Sequence, residues 1–291
     1  MTAPFKTPVP DLFVTEHVSF YSGDHVLRGQ LFRPGGSPRA VAVLNGATGV
    51  PARFYEAFAR WLAQEKNIAC LTYDYRDFGA SADQHPIASE ATMADWGVHD
   101  QQAARDYLAR VFPTKPLWVI GHSLGGMCLP FQQDLDRIDR VIAVASGIVH
   151  VRDHPWPYQA LARFFWFGAV PLITRIMGFM PGKALRVGSD IPAGVYWQWR
   201  QWCTRREFFT PDFGGALPFP DWMGVKAPMK FVAIGDDDLT PPKTVWKLMQ
   251  CYRGAAKTQM TVFPSDAGVD RLGHLNVFHD RARAAWDMIV A

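Results

Sequence analysis

Cysteine is scarce in this sequence, and Cys70, Cys128, Cys203 and Cys251 are scattered with no C-x-x-C pair among them. The spacing argues against a disulfide framework and a zinc site, and it fits a reducing, cytoplasmic setting. Charge of one sign is lacking too: the formal net charge is only +3, with no dense Lys/Arg run. No nucleic-acid partner is expected on that ground. The opening "MTAPFKTPVPD" has neither the basic nor the apolar region of a signal peptide. The most apolar stretch, "FFWFGAVPLITRIMGFMPG", contains Pro171 and Arg175 and is broken at Pro181. It reads as a buried or surface-lying helix, so stable membrane insertion is not expected.

What is present is the composition of a globular enzyme, 48% hydrophobic and 20% charged over 291 residues. That length suits one large α/β domain or a core with an insertion. "FVTEHVSF" and "HVLRGQLF" predict an antiparallel pair turning at Ser22, Gly23 and Asp24. "AVAVLNG", "IACLTYDY", "PLWVIGHS" and "RVIAVAS" predict buried strands. They alternate with helices predicted over "ARFYEAFARWLAQEK", "DWGVHDQQAARDYLARVF" and the stretch opening "LGGMCLPFQQDL". Such alternation implies a mostly parallel sheet with helices on both faces. It stops near His150 and resumes at "PMKFVAIG", followed by a helix over 242–253, the strand "QMTVFP" and a last helix from Asn276. Residues 1–149 and 218–291 are therefore expected to form the core, and 150–217 an aromatic-rich insertion.

In "VIGHSLGGM" the serine is bracketed by glycines between a predicted strand and a predicted helix. Small residues at Gly121 and Gly125 permit a sharp turn that lifts Ser123 Oγ above the sheet, with the Leu124 N–H placed to donate to an oxyanion. A hydroxyl needs a base to take its proton, and the base needs an acid to fix its tautomer. Of the later histidines, His150 and His154 open the insertion; their spacing could suit a metal pair, but no third ligand accompanies them, and they read as surface residues. His279 falls inside the predicted last helix. His274 follows Gly273 in a loop and is the candidate base. The acid is sought after "PMKFVAIG", where Asp236, Asp237 and Asp238 are consecutive and at most one can face His274. Trp96, His99 and Asp100 read as packing and capping residues, and Arg205 and Arg206 as a solvated edge.

"LNGATGV", "LTYDYRDFGAS", "GHSLGG", "GDDDLTP" and "GHLNVF" together resemble the α/β-hydrolase superfamily, and within it the serine aminopeptidase-type and lysophospholipase-type hydrolases. The resemblance covers nearly the whole chain. It implies the α/β-hydrolase fold, with an inserted cap over the nucleophile. It implies Asp238 as the acid, three residues after Gly235 and three before Pro241, with Asp236 as the fallback. It also implies a second oxyanion donor from the backbone N–H of Ala47 or Thr48. Asn45 and Asp77 depart from the pattern, standing where a histidine and a glycine are common.

The implied activity is hydrolysis of a carboxylic ester or thioester by a Ser-His-Asp triad through an acyl-enzyme, with no cofactor and a small-molecule acyl substrate. Most of the insertion's aromatics are expected to pack the cap, with a few lining an apolar pocket. An acyltransferase with the same triad and a non-catalytic binding protein on the same fold are the competing readings.

Overall fold

The computed structural model describes residues 13–291; the opening "MTAPFKTPVPD" lies outside the described residues. Strands β1 (Phe13–Ser22) and β2 (His25–Pro34) form the expected antiparallel hairpin, with Gly23 in the left-handed region at φ 59°. Then come β3 (Ala40–Asn45), α1 (Glu56–Lys66), β4 (Ile68–Tyr73), α2 (Gln101–Val111), β5 (Leu117–His122) and β6 (Arg140–Val144). After β6 the chain leaves the sheet. It forms α3 (Tyr158–Phe167), α4 (Ala169–Met177), the two-residue strands β7 (Phe179–Met180) and β8 (Ile191–Pro192), the short α5 (Gly182–Leu185), and α6 (Ala193–Thr204). It returns through β9 (Met229–Ile234), α7 (Pro242–Cys251), β10 (Lys257–Val262) and α8 (Trp286–Val290).

The main sheet has eight strands in the order β1-β2-β4-β3-β5-β6-β9-β10, and every pairing from β4 to β10 is parallel. Strands β3, β4 and β5 are buried along their whole length, as strands covered on both faces must be. Their side chains alternate between two cores. Val41, Val43, Leu71 and Val119 pack on the side of α2 and α7; Ala42, Leu44, Cys70 and Ile120 pack against α1 and α8.

Two expected helices are not helices. After Ser123 the chain makes only short 3-10 turns, Ser123–Gly126 and Leu129–Phe131. Gly125 and Gly126 weaken a helix there, and Pro130 cannot donate into one. The stretch from Asn276 likewise runs through 3-10 turns before α8. Trp96 and Asp100 are structural, as expected. Asp100 is fully buried and accepts from Arg76 Nε and Nη2 at 2.9 and 2.7 Å, while Trp96 Nε1 donates to the Arg76 carbonyl at 3.0 Å.

Candidate active site

Ser123 begins the turn after β5 with φ 55°, a left-handed backbone that a residue with a Cβ adopts only under strain. The turn is held tight from below. A Cβ on Gly121 would lie 2.3 Å from the Gly125 carbonyl oxygen, and one on Gly125 would lie 2.0 Å from the Asn45 carbonyl oxygen. The two glycines let β5, its turn and β3 meet backbone to backbone. Ser123 is also the one residue between Leu117 and Gln132 that is not buried. The geometry is that of a side chain pushed out of an otherwise closed structure.

His274 sits in the loop between β10 and α8, after Gly273 at φ 56°. Its Nδ1 lies 2.7 Å from Asp237 Oδ2, and the two side chains are 11% and 1% exposed. Here the sequence expectation is corrected: Asp237, not Asp238 or the fallback Asp236, faces the histidine. Each of the three carboxylates has its own task. Asp236 accepts from the backbone N–H groups of Leu272 and Gly273, both at 3.0 Å, and so holds down the loop that carries His274. Asp237 Oδ1 accepts from the N–H groups of Leu239 and Thr240 at 2.8 and 2.9 Å, which aims Oδ2 at His274. Asp238 turns outward, 39% exposed, and pairs with Arg271 at 3.3 Å.

Burial opposes ionisation of Asp237, but the charge and hydrogen bond of His274 and the two backbone donors outweigh it and hold its pKa below the usual carboxylate value. An ionised carboxylate can only accept, so His274 Nδ1 donates to Asp237, which in the neutral imidazole makes Nε2 the acceptor. Among the described residues no hydrogen bond joins Ser123 Oγ to His274; a contact of this kind commonly closes only with substrate in place.

The neighbour of Ser123 makes the link instead. His122 Nε2 donates to the His274 carbonyl at 2.9 Å, because a carbonyl can only accept. His122 Nδ1 must then accept, and Tyr55 Oη donates to it at 2.8 Å while itself accepting the Ala47 N–H at 2.8 Å. Burial, then the nearby His274, pushes the pKa of His122 down to about 3, so this imidazole is neutral. The same network corrects one oxyanion expectation. The Ala47 N–H is already bonded to Tyr55, which leaves Thr48 and Leu124, both lining the cavity beside Ser123.

That cavity measures about 370 Å³ and is walled mostly by the helical segment between β6 and β9, including Tyr158, Phe165, Trp199 and Trp202. Its size is in the range of small-molecule sites, about 300–1,000 Å³. His154, expected at the surface, is in fact buried and lines it, with Nδ1 donating to the Asp238 carbonyl at 3.0 Å. Sequence spacing could not reveal this, because the two residues are far apart in the chain. Among the described residues no cluster of three or more His, Cys, Asp or Glu is placed to hold a metal ion.

The alpha/beta hydrolase family model matches residues 41–286. The chain belongs to the alpha/beta hydrolase family. Several solved structures share the fold at low identity. An esterase of Pyrococcus furiosus is 13% identical with a TM-score of 0.60, covering 99% of this chain and 94% of its own. A thioesterase domain from the curacin biosynthetic pathway is 15% identical with a TM-score of 0.54, covering 96% of this chain and all of its own. The acylaminoacyl peptidase of Pyrococcus horikoshii is 14% identical with a TM-score of 0.56 over 97% of this chain, which spans only 40% of that protein. No curated protein matches the sequence.

Proposed function

We propose that this alpha/beta hydrolase is a serine hydrolase that cleaves a carboxylic ester or thioester with an apolar acyl group. The observation that carries the reading is the cavity. Ser123, the one position of its turn that is not buried, opens into it, and a His274–Asp237 pair lies on the adjoining loops. In this reading His274 Nε2 takes the proton of Ser123 Oγ as the oxygen attacks the substrate carbonyl carbon. The N–H groups of Leu124 and Thr48 receive the developing oxyanion. His274 then returns the proton to the leaving alcohol or thiol, and an acyl-enzyme remains. A water molecule, deprotonated by the same nitrogen, releases the acid and restores Ser123.

The segment over the cavity serves as the cap. It supplies apolar walls for the acyl chain, which favours a hydrophobic ester over a sugar ester. The four free thiols, three of them buried, are in keeping with a reducing compartment.

A p-nitrophenyl ester series of increasing acyl length, run on the wild type and on Ser123→Ala, tests the reading. Turnover with an optimum chain length, lost in the variant, is the expected result. No turnover on any ester, together with no labelling of Ser123 by a fluorophosphonate, would overturn it.

A further inference from the structure

Helices α3 and α4 are apolar on two opposite faces. The inner face of α3 is Ala162 and Trp166, and that of α4 is Val170 and Thr174, all buried. On the outer faces, Leu161, Phe164 and Phe167 recur along one stripe of α3, and Leu172 and Ile176 along one stripe of α4. These residues are mostly exposed: Leu172 is 61% and Ile176 76% exposed, and Trp156, just before α3, is 77% exposed. Most of the aromatics were expected to pack the cap; these do not. A helix with apolar side chains on opposite faces is normally covered on both, by protein or by lipid, and here no protein covers the outer side among the described residues.

The charge of the segment is equally one-sided. From His154 to Ser189 there is no Asp or Glu, and Arg163, Arg175, Lys183 and Arg186 are all exposed; of these four, Lys183 is paired, with Asp190 at 3.8 Å. Arg163 and Arg175 lie beside the apolar stripes, where their long stems can follow the apolar surface with the guanidinium in a polar layer. Length excludes a crossing. Tyr158–Met177 is apolar enough for one, but the chain bends at Gly168 into helices of 10 and 9 residues. At 1.5 Å per residue each is about half the thickness of a hydrocarbon core of roughly 30 Å.

The patch is also continuous with the cavity. Leu161, Phe164 and Val187 are exposed to solvent and line the space that reaches Ser123. An acyl chain leaving a lipid layer at this face would meet apolar side chains all the way in.

We infer that the outer face of α3 and α4 docks on the surface of an anionic phospholipid bilayer without spanning it. Basic side chains meet the headgroups, and the apolar stripes enter the boundary with the acyl chains. The docking itself does not depend on the hydrolase reading; delivery of substrate from the bilayer to Ser123 rests on it.

Flotation of the full chain with vesicles of phosphatidylcholine and phosphatidylglycerol tests the inference. Ser123→Ala is included so that binding is read apart from turnover. The wild type and Ser123→Ala should float equally, less with phosphatidylcholine alone and less at high salt. The double variant Leu172→Glu/Ile176→Glu, which touches neither the cavity nor the catalytic loops, should partition at least about tenfold less while its melting temperature and soluble-ester turnover stay unchanged. Arg163→Glu/Arg175→Glu should lose the preference for anionic vesicles. No flotation of the wild type, or equal flotation of the glutamate variant, would overturn the inference. So would a dimer in sedimentation that the glutamate variant breaks, since the stripes would then be covered by a second copy. Vesicle binding in a chain that neither turns over esters nor labels with a fluorophosphonate would uphold docking and sink the hydrolase reading.

Discussion

His122 Nε2 donates to the backbone carbonyl of His274 across 2.9 Å, joining the residue before Ser123 to the loop that carries His274. The side chain of one histidine thus holds the main chain of the other. On its far side His122 is fixed by Tyr55, which also takes the Ala47 N–H. Three loops, those after β3, β5 and β10, are registered against one another by a single buried imidazole. Both ring nitrogens of His122 are thus occupied, and in the proposed reaction it would serve as a positioning residue.

Its neutrality has a consequence for stability. His122 titrates at about 3 in the folded chain, against an ordinary value of 6.5. The unfolded state therefore binds more protons below 6.5, and the stability this group supports is whole above that pH. It is lost as pH falls from 6.5 toward 3, by about 2 kcal/mol at pH 5. Urea unfolding of the wild type and His122→Gln between pH 7 and pH 5 isolates this term, because the other histidines are shared. The variant should show the shallower decline; parallel declines would refute the assignment.

The three consecutive aspartates should separate in kinetics. Asp237→Asn leaves an amide that no longer stabilises the protonated imidazole or fixes its tautomer, and kcat should fall by roughly 10³–10⁴. Asp238→Asn removes only an exposed pair with Arg271, worth about 0–1 kcal/mol, and should leave kcat within about twofold. Ester hydrolysis at saturating substrate distinguishes them. A larger loss at Asp238 would return the acid to the position that spacing in the resemblance implied.

Asp236→Ala should act through the loop. Removing the carboxylate strands the N–H groups of Leu272 and Gly273, which should cost about 2 kcal/mol in thermal or urea unfolding. With His274 less firmly held, kcat should fall by a smaller factor than in Asp237→Asn. Faster amide hydrogen exchange at Leu272 and Gly273 is the accompanying sign; unchanged exchange would count against the anchoring role.

Much of this architecture was readable from residue patterns. Runs such as Ala40–Asn45 and Ile68–Tyr73 are apolar at every position, and only a strand covered on both faces buries them all. Gly121, Ser123 and Gly125 marked the turn, and Gly273 marked the loop that frees His274. The choice among Asp236, Asp237 and Asp238 was not readable from spacing, because neighbouring residues differ in direction and not in distance along the chain. One local cue existed. An Asp whose side chain accepts from the N–H groups two and three residues on forms a turn, and Thr240-Pro241-Pro242 follows at once. The helix expected after Ser123 is replaced by 3-10 turns because Gly125 and Gly126 weaken a helix there and Pro130 cannot donate into one. Tyr55 on Ala47, and His154 on the cavity wall, depend on side chains meeting across the fold, which no linear pattern records.

The glycine contacts beneath Ser123 divide the molecule by how freely it can change. At 121 and 125 the atoms that an added methyl would strike belong to the main chain, so no rotation of a neighbour makes room. A library randomised over residues 119–127 should return almost nothing but the parent at those two sites. The walls of the cavity are a different matter, since they are built from side chains such as Leu161, Phe165 and Trp199 on helices outside the main sheet. New substrate preferences are therefore open to selection through the insertion, on an anchor that allows almost no variation.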